Sequence, residues 1–151
     1  MTLTQRRDGE PGASYLELID LVQSQGANTR EDSRELFRRV VFSILIHNTD
    51  DHLRNHGFFI EERGISLSPA YDINPSNDRN QLTLAINEVD TTCDVSIALE
   101  AHPEYGLSKI EAGEIIGRAT AAVATWRSEA ALVGIPKADQ ELMAPAFEAA
   151  T

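Results

Sequence analysis

Apolar residues along the chain follow two rhythms, and polar clusters separate them. Leu16, Ile19 and Val22 succeed one another at helical spacing after Ser14, which with Glu17 spells the S-x-x-E capping box, and Gly26 suits a helix stop. The spacing predicts a first helix over about 14–25. A second begins after Thr29, with Glu31 and Asp32 in its first turn, where the helix dipole favours acid. Its Leu36, Phe37, Val40, Val41, Ile44 and Leu45 make one continuous apolar face. That helix runs to about His47, where the polar run Asn48-Thr49-Asp50-Asp51-His52 breaks the pattern and predicts a loop carried on a rigid helix end.

The rhythm then changes. Gly57-Phe58-Phe59-Ile60 and Ile65-Ser66-Leu67-Ser68 flank Glu61-Glu62-Arg63-Gly64, which predicts a β-hairpin. Prolines, asparagines and aspartates make 69–80 irregular, and Leu82-Thr83-Leu84-Ala85-Ile86 suggests a third strand. Beyond Asp94 the pattern is helical again: a short element near 94–101, then a long helix capped by Ser108 and Glu111 and running to about Val133. Its inward stripe is Ile115, Ile116, Ala119, Val123, Trp126 and Ala130. Pro136 opens a last helical segment that Pro145 interrupts. The expected architecture is mainly α with a small β-hairpin in its middle, after a ragged lead-in over 1–12.

Composition narrows the function classes. With 151 residues, a single domain over 1–151 is the expectation, and no apolar run approaches the ~18 residues of a membrane span. The first residues lack the apolar core of a secretory signal, so a cytoplasmic protein without membrane contact is expected. Cys93 is the sole cysteine, which excludes an internal disulfide. A net charge of −11 repels a phosphate backbone, so no direct nucleic-acid binding is expected. The same acid opposes a nucleotide unless a divalent cation and a basic segment screen it.

The chemistry concentrates in Asn48-Thr49-Asp50-Asp51-His52-Leu53-Arg54-Asn55 and, after the hairpin, Ser68-Pro69-Ala70-Tyr71-Asp72. Asp50 and Asn55 have the separation of aspartate and asparagine in the kinase loop H-R-D-x-x-x-x-N, where the first orients an attacking hydroxyl and the second binds magnesium. Asp72 falls where the second metal-binding aspartate belongs. Phosphoryl transfer needs positioning and charge neutralisation more than covalent chemistry, so a loop on a helix end and a hairpin that brings Asp72 back suit it.

The D-x-H-x-x-N loop, the preceding Arg38-Arg39-Val40-Val41-Phe42 and the S-P-A-Y-D-x-x-P-S segment together resemble the C-terminal half of HipA-type toxin kinases over nearly the whole chain. The resemblance implies a protein-kinase-like C-lobe and, in the full-length family, ATP- and magnesium-dependent transfer to a protein serine in bacteria. It implies a toxin–antitoxin pairing with a HipB-like antitoxin, and an aminoacyl-tRNA synthetase as the kind of substrate. On it, Asp50 is the catalytic base, and His52 assists catalysis and touches a transferred phosphate. Asn55 and Asp72 hold magnesium and, with His52, the nucleotide. Arg54 takes the place of a basic residue that usually precedes the asparagine.

The family's N-terminal lobe, which grips ATP, precedes the segment that begins here at Met1. No G-x-G-x-x-G or G-x-x-x-x-G-K is present, and both lysines, Lys109 and Lys137, follow Asp72. The expectation is weak or absent activity from this chain alone. The alternative is a non-catalytic module that binds an antitoxin or substrate protein.

The same residues also suit purely structural roles. Asp50, Asp51 and Asn55 also suit a helix end, and Asp51 is expected to face solvent. His52 and His56 would share a helical face as zinc ligands, but Leu53 replaces the glutamate of H-E-x-x-H, and Phe59 stands at the twelfth position of any EF-hand loop starting at Asn48. Tyr71 is expected to pack and locate Asp72, Trp126 to lie in the core, and Cys93 to be unreactive.

Overall fold

In a computed structural model, residues 12–78 and 80–150 are described. Most of the expected lead-in therefore lies outside the described residues.

The second apolar face becomes the axis of the molecule. Helix α2 spans Thr29–Leu45. Its Leu36, Phe37, Val40, Val41, Ile44 and Leu45 are all fully buried, each burial stabilising by about 1.5–3 kcal/mol before entropy is counted. Around it pack α1 (Leu16–Gln25), α3 (Val95–Glu100), α4 (Lys109–Val123) and a C-terminal 3-10 turn (Ala144–Ala150). Helices α5 (Trp126–Leu132) and α6 (Lys137–Met143) extend this C-terminal part.

Between α2 and α3 lies the β-hairpin, β1 (Phe58–Glu61) antiparallel to β2 (Gly64–Leu67), with Phe58 opposite Leu67 and Glu61 opposite Gly64. Gly64 is obligatory in two ways: its φ is +142°, and a Cβ there would stand 2.2 Å from the Gln25 carbonyl oxygen. The hairpin is thereby pressed onto the end of α1, where Ala27 N–H donates to the Ile65 carbonyl at 2.8 Å. Gly26 ends α1 without left-handed backbone, at φ −68°. Its small size is needed because a Cβ would lie 2.3 Å from the Val22 carbonyl oxygen.

Three expectations about elements are corrected. Residues 82–86 form no strand: Ala85 and Gln81 make single bridges to Ser14 and Thr92. Leu82, Leu84 and Ile86 are buried as strand-like alternation predicts, but their backbone groups bond to scattered loop carbonyls such as those of Thr91 and Asp90. The long C-terminal helix is two helices, interrupted at Ala124 and Thr125, where the Thr125 hydroxyl donates to the Ala122 carbonyl at 2.8 Å and competes with the helical ladder. Trp126 is half-buried rather than core; it stacks on Phe147 with centroids 4.3 Å apart.

At the first helix the capping box is half-formed. Ser14 N–H donates to Glu17 Oε1 at 3.2 Å, while the Ser14 hydroxyl reaches across to the Asn87 carbonyl at 2.7 Å. The box at α4 is complete, Ser108 and Glu111 bonding reciprocally. Among the described residues no helix is long and apolar enough to cross a membrane.

Candidate functional site: the loop after the central helix

Helix α2 ends in a Schellman motif. Asn48 N–H donates to the Ser43 carbonyl at 2.8 Å and His47 N–H to that of Ile44 at 3.2 Å, with His47 left-handed at φ +49°. The chain leaving this stop runs through Asp50 to a 3-10 turn at Leu53–Asn55, so the loop is launched from the most deeply packed helix.

The six-residue run from Asp50 to Asn55 does not behave uniformly. Asp50 is exposed on the outer side of the turn. Asp51, expected to face solvent, is 3% exposed and is the anchor of the loop. Tyr15 donates its hydroxyl hydrogen to Asp51 Oδ2 at 2.6 Å, His56 Nε2 lies 3.1 Å from Oδ1, and the Ser43 hydroxyl is 3.5 Å away. A carboxylate buried there is tolerable because these donors replace its water. Burial and the neighbouring Asp51 charge together push the Tyr15 phenol well above its ordinary range, so Tyr15 remains a donor. His52 is half-buried, its Nε2 3.5 Å from an Arg54 guanidinium nitrogen, and Asn55 is buried.

A second set of bonds brings the Asp72 segment to this loop. The Tyr71 hydroxyl donates to the Arg54 carbonyl at 2.5 Å, so the residues adjoining Asn55 and Asp72 are directly joined. Tyr71 is 48% exposed, and it locates Asp72 through this bond more than by packing. Asn48, 2% exposed, donates from Nδ2 to Ser43 Oγ at 3.3 Å and accepts at Oδ1 from Asn74 N–H at 3.2 Å. Ser76 N–H reaches the His47 carbonyl, and Arg39 on α2 donates to the Ser68 carbonyl at 2.6 Å.

Asp72 itself is exposed and left-handed at φ +56°, with Oδ1 accepting from the Asn74 amide at 2.9 Å. Asx residues tolerate that backbone better than others, and a non-glycine held there is retained against a small conformational cost. Asn55, Tyr71 and Asp51 share the wall of a cavity of about 10 Å³ with Arg39, Ser43 and His56, room for one water.

His52 and His56 are not on one helical face, because only a 3-10 turn separates them, and His56 is committed to Asp51. Sequence reasoning named Asp50, His52, Asn55 and Asp72 but missed Tyr15, Arg39, Asn48, Asp51 and His56 as the groups that hold them. Asn48 and Asp51 carried a signal, as Asx residues at a helix stop.

This assembly defines a mainly helical domain in which a polar loop after a buried helix meets the segment following a hairpin. The model for the HipA-like C-terminal domain matches residues 1–126, and the chain belongs to that family. A Haemophilus influenzae protein bearing the name "Putative kinase" is 33% identical over 66 residues, which are 43% of this chain and 19% of that protein. In three dimensions the chain resembles HipA of Shewanella oneidensis, solved in a toxin–antitoxin complex of HipA and HipB with its operator DNA. The TM-score is 0.73 at 20% identity, covering 97% of this chain and 35% of that one. The chain thus spans about a fifth and about a third of these relatives, and the second likeness establishes the fold.

Proposed function

We propose that this chain is the catalytic C-terminal lobe of a HipA-type serine/threonine kinase, a single unit over 1–151 with the architecture of a protein-kinase C-lobe. The observation that carries the reading is the Tyr71–Arg54 bond, which joins the Asp72 segment to the loop that ends in Asn55. Asp50, exposed on the same loop, has the sequence place of a base that accepts a serine hydroxyl proton. The Asn55 carboxamide and Asp72 carboxylate are hard oxygen donors of the kind magnesium takes, with water completing its shell. Magnesium, when bound, neutralises charge on the ATP phosphates. His52, on the same loop, is the phosphate-facing donor.

In this reading the remainder of the ATP site comes from the N-terminal lobe of the family, and this chain alone transfers phosphate weakly or not at all. The natural acceptor is a protein serine, of an aminoacyl-tRNA synthetase by analogy with the family, and the natural partner is a HipB-like antitoxin in a bacterial cytoplasm. The antitoxin would meet the DNA; this acidic chain would not.

Titrating ADP with magnesium into the purified chain, followed by thermal shift, tests the reading. A magnesium-dependent rise in melting temperature that Asp72→Ala and Asn55→Ala abolish is expected, with Asp50→Asn sparing it. Indifference to magnesium, or identical shifts in all three variants, would remove the proposal. A non-catalytic module is the second reading. It is favoured by exposed Val133 and Ile135 in the wall of an apolar groove of about 390 Å³ formed with α5 and α6. There, substitutions on those helices would abolish partner capture and Asp50→Asn would not.

A further inference from the structure

Ending α2 requires nothing from Asp51, since the Schellman bonds of His47 and Asn48 already satisfy its last carbonyls. Nor is Asp51 open to bulk solvent, being 3% exposed. Its carboxylate instead gathers groups from three places in the chain: Tyr15 before α1, Ser43 in α2, and His56 just past the 3-10 turn.

Asp51 follows Asp50 directly, and His56 follows Asn55 directly. The Asp51–His56 contact therefore closes a six-residue ring whose two ends adjoin the proposed base and the proposed metal ligand. Inside the ring, Asn55 N–H donates to the His52 carbonyl at 2.8 Å and His56 N–H to the Leu53 carbonyl at 3.3 Å. The Tyr15 and His56 rings meet edge to face at 5.8 Å, so the clasp is packed as well as bonded. With the proton on Nε2, His56 donates to Asp51; its Nδ1 and the Nη1 of Arg39, two residues that line the same small cavity, are buried without a protein partner among the described residues.

We propose that Asp51, His56 and Tyr15 are positioning residues that set the spacing between Asp50 and Asn55. What that spacing serves rests on the kinase reading; that the clasp sets it does not. Tyr15 ties the clasp to the helical core, so the loop moves only if the core moves.

The test follows amide hydrogen exchange by NMR and Mn²⁺ binding by water proton relaxation in the 151-residue chain. Asp51→Ala should speed exchange of the Asn55 and His56 amides at least tenfold and weaken Mn²⁺ binding at least tenfold, while amides in α4 keep their protection. Asp51→Asn retains an acceptor for Tyr15 and should recover most of both losses, whereas Asp51→Leu, which fills the space without an acceptor, should recover neither. If Asp51→Ala does not fold, Tyr15→Phe, which removes one hydroxyl, carries the test with a smaller acceleration at the same two amides.

Unchanged exchange at those amides, or acceleration shared equally by α4, overturns the clasp. Failure of the two ideas is separable: loop amides that respond in a wild-type chain binding no Mn²⁺ sink the metal site and keep the clasp. Mn²⁺ binding that Asp72→Ala abolishes but Asp51→Ala leaves intact, with unmoved loop amides, does the reverse.

Discussion

Replacing Asn48 by alanine removes a side chain that bonds to both the central helix and the Asp72 segment. Two hydrogen bonds are lost, one donated to Ser43 Oγ at 3.3 Å and one accepted from Asn74 N–H at 3.2 Å. Each is worth about 0.5–1.5 kcal/mol net. Asn74 is exposed, so water takes over its amide and the cost there falls at the low end. Ser43 keeps its long contact to Asp51. The expected loss is about 1–2 kcal/mol, which in a domain of this size lowers Tm by about 2–8 °C. Calorimetry measures that total, and hydrogen exchange at the Asn74 amide isolates the local part. The Asp72 segment should loosen without detaching, because Tyr71 and Ser76 still bond to Arg54 and His47. A fall in Tm with unaltered exchange at Asn74 would refute the bridging role.

Two further outcomes follow from the same reasoning. Gly64→Ala should cost about 3 kcal/mol or more, because the new Cβ meets the Gln25 backbone oxygen and forces an unfavourable φ; chemical denaturation reads it, and a loss under 1 kcal/mol would mean the hairpin shifts freely. Acid should destabilise the chain in two stages. Burial holds His47 below its ordinary pKa, so the folded chain binds fewer protons there and stability falls as pH drops below about 6.5. Glu111 is held down to about 2 by the Ser108 backbone and hydroxyl and by Arg30 and Arg34, so its stabilisation is intact above about 4.5 and disappears as pH falls toward 2. Glu111→Gln should flatten the lower limb of a Tm-versus-pH curve; a curve identical to wild type would refute that assignment.

The sequence made helices and hairpin legible because their periodicity is local. The six apolar positions of α2 announce its buried face, and Phe58–Glu61 pairs with Gly64–Leu67 within a residue of the expected bounds. What stayed hidden depends on distant partners. Residues 82–86 alternate like a strand, but a strand needs a neighbour of matching length, and the backbone of Ala13 and Tyr15 supplies a single bridge's worth. Asp51 differs from its expected place for a related reason: beside Asp50 it has the same local propensity, and its burial depends on partners brought together by the fold, the farthest being Tyr15, 36 residues earlier. Trp126 followed the helical stripe correctly in phase, yet the helix breaks just before it.

The candidate site separates two duties between adjacent acids. Asp50 and Asp72 are exposed, available to a hydroxyl or cation, and among the described residues neither is in an ion pair. Asp51 is buried and has its charge met by phenol and imidazole, which spend no solvent-facing group. If both neighbours at positions 50 and 51 pointed outward, the loop would hold two repelling carboxylates and nothing to fix either. Turning one inward, against a phenol and an imidazole, separates the two charges and gives the loop its attachment to the core. In a chain of net charge −11, the outward pair still presents a field that favours a small divalent cation over a bare polyphosphate. On the proposed kinase reading, nucleotide binding would require prior or simultaneous capture of the ion, and the geometry would rest on residues that touch neither.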